Sequence, residues 1–263
     1  MDLTIIETSK KGIDLKINLK KEYRQHYDFW TIYYDKWEEE TFNIFERFLN
    51  TKNNYLDIGA WIGPTVLVGA HKCNHVYALE PNKIAFEELI CNISLNSSIK
   101  TKVTCIDAAL SPKNHSINLY IRTDPSESMS SILPNKQKGD YFEVKGITFE
   151  QLLIDYEIKN VNFIKMDIEA GEYKVLPTMR NYLKKYKPTL YLSLHPQFLL
   201  DSAELLLSQS SDRFSYIESQ TQKLIRSLDF YKYIYDSNGN IIDSNEVIKE
   251  RKFRSYVFSN EKW

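Results

Sequence analysis

The stretch Leu56-Asp57-Ile58-Gly59-Ala60-Trp61-Ile62-Gly63 decides the fold. Tyr55 to Ile58 is a short apolar run that stops at glycine, which predicts a buried strand. Pro64 to Ala70 predicts a helix, with Pro64 in the first turn where a missing N–H costs nothing. The chain has only eight glycines, and Gly59, Gly63 and Gly69 fall within eleven residues. Glycine clustered at a strand-to-helix turn serves close approach of the backbone to a ligand. The start of that helix offers free N–H groups and a positive dipole end, which suit a carboxylate or phosphate.

Outward from this turn the same unit repeats. His75 to Leu79 predicts a second strand ending at Glu80-Pro81, and Phe86, Leu89, Ile90 and Ile93 mark one face of a helix. Val103 to Ile106 predicts a third strand ending at Asp107. The alternation resumes with a helix over 152–156, a strand over 163–166, a helix over 175–185 and a strand over 190–194. Strands and helices alternating at this spacing predict a mostly parallel α/β sheet with right-handed crossovers and helices on both faces. Residues 112–146 interrupt the pattern as an inserted hairpin and polar loop, with 123–140 read equally as a cover that closes over the site or as a plain surface loop. Residues 1–50 are expected to form a helical, aromatic segment packed on the core, including an amphipathic helix over 37–49 with Phe42, Phe45 and Leu49 on one face. Beyond Pro196 the expectation is a helix over 198–207, a strand over 214–217, a hairpin turning at Asn238-Gly239, and a closing strand over 254–258.

Composition bounds the function. The 263 residues carry 34 basic and 35 acidic side chains, so the net charge of -1 gives no global attraction to nucleic acid or an anionic membrane. No run of eighteen apolar residues predicts a membrane span, and the first residues lack a basic-then-apolar leader. Cys73, Cys91 and Cys105 are expected as buried free thiols in a reducing, cytoplasmic setting. No CxxC or HxxxH pairing points to zinc.

Acids then line up at strand ends. Asp57 stands directly before Gly59's turn, where it would repel a pyrophosphate but accept an ammonium. A nicotinamide-binding turn has the different pattern G-x-G-x-x-G. S-adenosylmethionine carries both an ammonium and a carboxylate and fits this turn better. Glu80, 23 residues after Asp57, is placed to accept both ribose hydroxyls. Asp107 can accept from an adenine amino group, with Ala108 and Ala109 leaving room for the ring. Lys165-Met166-Asp167-Ile168-Glu169-Ala170-Gly171-Glu172 brings three acids to one strand end, able to orient a hydroxyl, take its proton or hold a divalent metal. His195, at the next strand end, titrates near neutrality and can act as general base. Glu172 serves equally as a helix-start acid.

In this order the residues resemble the FkbM-type S-adenosylmethionine-dependent methyltransferases. The resemblance rests on Trp37-Glu38 with Thr41, on Asp57 through Gly63, on Tyr77-Ala78-Leu79-Glu80-Pro81-Asn82, on Asp107-Ala108-Ala109-Leu110-Ser111, on Lys165 through Glu169 with Glu172, and on the strand ending in His195. It implies a Rossmann-like class I methyltransferase fold and O-methylation of a sugar, a nucleotide-linked sugar or another hydroxyl-bearing metabolite, with S-adenosylhomocysteine as product. It also implies that Glu38, Thr41, Asp57, Gly59, Trp61, Gly63, Pro64, Thr65, Glu80, Asn82, Asp107, Ala108 and Asp167 surround the cofactor. Two departures stand out. The family's usual Asp-x-Glu-Gly becomes Asp167-Ile168-Glu169-Ala170, and the last central strand ends in Ser193-Leu194-His195 without the usual acid.

Methyl transfer starts from an already activated carbon, so the protein has to align a nucleophile and handle one proton. His195 is the expected base, with Asp167 and Glu169 orienting the hydroxyl or supporting the imidazolium. In the competing arrangement Asp167 and Glu169 hold Mg²⁺, which acidifies the hydroxyl. Three other readings stay open: a peptide, lipid or other small-molecule acceptor; a non-catalytic cofactor-binding module; and an NAD-dependent oxidoreductase, which the glycine spacing disfavours. A nucleic-acid acceptor is not expected, since no Asn-Pro-Pro-Tyr segment is present. Homo-oligomerisation is left open.

Overall fold

A computed structural model describes residues 4–126, 128–135, 140–205 and 210–263. In chain order it holds β1 (Thr4–Lys10), β2 (Ile13–Leu19), α1 (Arg24–Asp28), α2 (Glu39–Phe48), β3 (Asn54–Ile58), α3 (Pro64–Lys72), β4 (His75–Leu79), α4 (Lys83–Leu95) and β5 (Val103–Ile106). The middle holds β6 (Ala109–Leu110), β7 (Ser116–Tyr120), β8 (Tyr141–Ile147), α5 (Phe149–Asp155), β9 (Val161–Met166), α6 (Glu172–Val175), α7 (Arg180–Tyr186) and β10 (Thr189–Leu194). The last part holds α8 (Pro196–Ala203), α9 (Ser210–Arg226), β11 (Tyr233–Asp236), α10 (Ser244–Lys249) and β12 (Arg254–Ser259).

The central sheet has the order β11-β12-β10-β9-β3-β4-β5. Neighbours from β10 through β5 are parallel, and β12 runs antiparallel between β10 and β11. The sheet is buried on both faces, so its strands are apolar runs whose side chains alternate between two cores. Tyr55, Val76, Phe163, Tyr191 and Val257 face one core, filled by α2, α3, α4 and β2. Leu56, Leu79, Ile164, Leu190 and Leu192 face the other, with residues of α5, α7, α9 and α10. The order reverses at β3, whose neighbours are β4 and β9. Chain connections diverge there and leave a crevice beyond the strand ends, where ligands of such sheets bind. The insertion is an antiparallel β7–β8 pair joined by β6 into a small second sheet.

Several expectations need correction. The N-terminal segment opens with a β-hairpin, β1–β2, not helix. Its turn, Lys11-Gly12, has both residues at positive φ (51° and 72°), the conformation a two-residue hairpin requires. The strand expected over 214–217 is part of α9: Ile217, Thr221, Leu224, Ile225 and Leu228 are buried at helical spacing, which a four-residue window cannot reveal. The single helix expected over 175–185 is broken around Pro177 into α6, a 3₁₀ turn and α7, because proline lacks the N–H that would continue the ladder. Ile90 is 45% exposed; the inward face of α4 is Ala85, Glu88, Leu89, Asn92 and Ile93. Asn92 belongs there because it accepts from Asn18 N of β2 and donates to the Ile62 carbonyl. Of the expected thiols, Cys73 is buried, whereas Cys91 and Cys105 are half-buried. Residues 127 and 136–139 of the covering segment, and 206–207 of the expected helix 198–207, lie outside the described residues.

Candidate functional site

The turn after β3 is forced by its neighbours. Gly59 sits at φ +90°, and a Cβ there would lie 1.9 Å from the Asp167 carbonyl oxygen of the turn after β9. Gly63, at φ +96°, begins α3 against Leu89. Between them Trp61 adopts φ 48°, a left-handed conformation unusual for an aromatic residue. The Glu80 carboxylate pins it there, accepting from Trp61 N at 2.8 Å and from Asn82 N at 2.7 Å. Asn82 in turn caps α4, its Oδ1 accepting from Ile84 N.

These turns bound a cavity of about 430 Å³ at the sheet's switch point. Glu38, Gly59, Trp61, Pro64, Thr65, Glu80, Asn82, Ala108, Asp167, Glu169 and His195 all line it, as the sequence suggested. Four expected cofactor residues do not. Asp57 is fully buried behind the wall. Its Oδ2 accepts from Tyr55 Oη and Thr65 Oγ1, both at 2.6 Å, and Lys165 Nζ lies 3.4 Å from Oδ1. Its cationic partner is therefore Lys165. Gly63 shapes the turn without facing the cavity. Thr41 is buried and supports Glu38, donating to its Oε2 while pairing with Tyr191 Oη. Asp107 is exposed at its strand end beside Ala108.

The cavity is acid-rich, and burial sets its protonation. Burial, then the nearby Asp167, pushes Glu38 up to about 7, although the Thr41 hydrogen bond opposes this. Burial also raises Glu80 to about 7 despite its two N–H donors. Glu169 is raised well above the carboxylate range by burial and then by Asp167, and Glu172 to about 8 by burial. Burial alone would lower the Lys165 ammonium, but Asp57, Asp167 and Glu38 outweigh it and hold the group above its ordinary value. Burial lowers the His195 imidazole, with Asp167 opposing. His195 Nε2 lies 3.3 Å from Glu169 Oε2 and 3.7 Å from Asp167 Oδ1. Ligand atoms of Asp167, Glu172 and His195 lie within 4.8 Å of one another. Among the described residues, the buried atoms Asp167 Oδ1, Glu169 Oε2, Glu172 Oε2 and His195 Nδ1 have no hydrogen-bond partner. The loop that carries Asp167 and Glu169 is strained: Glu169 and Ala170 have φ of 57° and 72°. Ala170 thus holds a conformation that glycine would adopt without penalty.

Sequence reasoning overlooked several residues. Lys165 was visible only as a lone cation in the apolar strand β9. Phe29, Trp37, Phe198 and Phe253 line the cavity, and no local pattern separates such aromatics from core. His26 is fully buried, pairing with Glu88 through Nδ1 at 2.7 Å and through Nε2 with the Ser126 carbonyl of the covering segment. Its partners are 62 and 100 residues away, beyond any motif.

A model of the methyltransferase FkbM domain matches residues 57–235. Among curated proteins no relative matches the sequence. Among solved structures, the methyltransferase FkbM from Methylobacillus flagellatus KT is 20% identical over 79% of this chain, with a TM-score of 0.40. The present chain spans 43% of the length of that protein. Precorrin 8W decarboxylase from Methanobacterium thermoautotrophicum is 13% identical, with 84% of this chain and 89% of that one covered and a TM-score of 0.43. Aeropyrum pernix fibrillarin with bound S-adenosyl-L-methionine is 7% identical, with 80% and 67% covered and a TM-score of 0.39. No helix among the described residues is long and apolar enough to cross a membrane.

Proposed function

The chain belongs to the methyltransferase FkbM family, and from that premise we propose that it transfers a methyl group from S-adenosylmethionine to a hydroxyl of a sugar or nucleotide-linked sugar. The family implies this donor, and the cavity suits it chemically. The donor has a sulfonium and an ammonium, and the lining offers Glu38, Glu80, Asp167 and Glu169. Gly59 lines the cavity and lets the β3 and β9 turns approach closely enough to shape it.

In this reading the ammonium lies by Glu38 and Asp167, because Asp57 is already tied to Tyr55, Thr65 and Lys165. The Lys165 ammonium and the first turn of α3 receive the donor's carboxylate. Glu80 accepts from the ribose, with Trp61 and Asn82 fixing its orientation. Ala108 leaves room for adenine, and Asp107 stands at the rim.

When bound, S-adenosylmethionine supplies an electrophilic methyl carbon. The protein's task is the acceptor's proton. The observation that carries the assignment is His195, 92% buried at the cavity end and facing two carboxylates. A burial-lowered imidazole is neutral at physiological pH and free to accept a proton. Asp167 then stabilises the imidazolium. The rings of Phe198 and Phe253, 5.4 and 4.8 Å from that of His195, add apolar surface beside the base for the C–H groups of a sugar. The test is a screen of nucleotide-linked sugars for a product heavier by about 14 Da, the replacement of a hydrogen by a methyl. No methylated product from any hydroxyl-bearing sugar would end the sugar assignment.

A second reading is favoured by the grouping of Asp167, Glu172 and His195, with Glu172 in place of the Glu169 that the sequence suggested. These residues offer two carboxylates and an imidazole to a divalent cation, which would acidify the acceptor hydroxyl. Full turnover after exhaustive chelation leaves His195 as the base; loss that Mg²⁺ or Mn²⁺ restores makes it a ligand.

A further inference from the structure

Arg122 follows strand β7 and is 91% buried. Its guanidinium carbon lies 3.9 Å from the centre of the Phe198 ring, the same ring that stacks on His195 with an interplanar angle of 2°. Only one of its nitrogens is paired: Nη1 lies 3.4 Å from Asp201 Oδ2. Nε and Nη2 are closed off from solvent and have no hydrogen-bond partner among the described residues. These two nitrogens form one edge of the guanidinium, the edge that grips a carboxylate or phosphate through two parallel hydrogen bonds.

A buried donor without an acceptor is costly, and two on one charged group more so. Packing alone does not call for this arrangement, since an apolar side chain would cover Phe198 without that cost. The link to the proposed acceptor site is Phe198, whose ring lines the cavity and carries the guanidinium, while Arg122 itself is not among the lining residues. Helix α8 presents Phe198 and Asp201 three residues apart, on one face, and begins directly after His195. Arg122 is close enough for its charge to act on both Glu169 and His195. Ser130, on the segment that follows Arg122 and lining the cavity, likewise has a closed-off hydroxyl without a partner. Lys165, the other cation of the site, is held by Asp57 and the Gly59 carbonyl and, in the methyl-transfer reading, serves the donor's carboxylate, not the acceptor.

We propose that Arg122 reads an oxyanion on the acceptor, so that the enzyme's substrate is a carboxylate- or phosphate-bearing sugar and not a neutral one. This rests on the methyl-transfer reading. The donor's own positive charge offsets the surrounding acids, and Arg122 keeps its fork for the acceptor.

The test uses the full chain loaded with S-adenosylhomocysteine and titrates three probes: glucose, glucuronate and glucose 1-phosphate. At least one anionic probe is expected to bind about tenfold more tightly than glucose. A glucuronate preference identifies a carboxylate, and a glucose 1-phosphate preference a phosphate. Arg122→Gln removes that margin, while Arg122→Lys, which keeps the charge but not the fork, retains part of it. Both variants bind S-adenosylhomocysteine as the wild type does, and neither lowers Tm, as loss of a merely structural arginine would. Glucose binding as well as both anions, uniform weakness included, overturns the proposal, as does a margin that survives in Arg122→Gln. The S-adenosylhomocysteine titration tests the methyl-transfer reading by itself, and repeating the probes without it separates the two failures.

Discussion

The two ends of the cavity are built on opposite terms. At the β3–β4 end the polar groups are satisfied within the protein: Glu80 holds two backbone N–H groups, Asp57 holds two hydroxyls and faces an ammonium, and Asn82 caps a helix. At the β9–β10 end they are not. Asp167, Glu169, Glu172, His195 and Arg122 each keep a buried polar atom without a hydrogen-bond partner among the described residues, close to a strained loop. A satisfied shell is rigid and shape-selective, as a site for an invariant ligand should be. An unsatisfied shell costs stability and is maintained where ligands or protons complete it. In the proposed reading, the first end specifies the donor and the second does the chemistry.

The harshest way to break this contrast is Gly59→Ala. Its Cβ would meet the Asp167 carbonyl at 1.9 Å, so the β3 and β9 turns must separate. Denaturant titration should show a loss of about 3 kcal/mol or more, from the clash and the positive φ together. Calorimetry should find no S-adenosylhomocysteine binding. His195→Ala attacks the other end alone. Turnover should fall by about 10²–10⁴ with cofactor affinity unchanged. Equal loss of both would mean that the two ends are not separable.

Acidity distinguishes the ends more gently. If His195 is the base, the pH profile of kcat/KM should rise through a pKa below the ordinary 6.5, because burial disfavours the imidazolium. An acid limb above 6.5 would contradict this. The raised carboxylates act in the opposite sense on stability. Glu38, Glu80 and Glu172, at about 7, 7 and 8, bind protons more tightly folded than unfolded. Their contribution is complete below the unfolded value near 4.5 and is lost as pH rises through their folded values. Tm should therefore fall between about pH 5 and about pH 8. S-adenosylhomocysteine, whose ammonium compensates the charge at Glu38, should restore part of it. A flat profile would show that these acids are better solvated than their burial implies.

The smallest effect is expected at Ala170→Gly. Release of the left-handed strain gains about 1 kcal/mol, and loss of a fully buried methyl costs about 0.8 kcal/mol, so stability should change by less than about 0.5 kcal/mol. A gain well beyond that would mean that the loop's strain is larger than its φ values suggest.

Much of the first end was legible in the chain. Gly59 and Gly63 mark a turn that only glycine fits, and Glu80 and Asn82 follow a strand whose apolar run is unmistakable. These are local signals, because backbone sterics act within a few residues. The second end was legible only in part. Asp167, Glu169 and His195 could be named as two acids and an imidazole at neighbouring strand ends. The commitment of Asp57 to Lys165 across 108 residues could not, nor could the pairing of Arg122 with Asp201 across 79. The missed hairpin at Lys11-Gly12 and the misread segment 214–217 differ in kind. The first had a turn signal in plain view, whereas the second needed a window wider than one strand.

By itself, then, the sequence determined the parallel α/β sheet, the glycine turn at its switch point and the series of acids at the strand ends. Each follows from periodicity and backbone conformation, which neighbouring residues dictate. Only the tertiary structure decided which of those acids face the cavity, which are neutralised behind its wall, and which polar atoms are left without partners. Charge, burial and hydrogen bonding depend on groups brought together from distant parts of the chain, and no local pattern encodes that meeting.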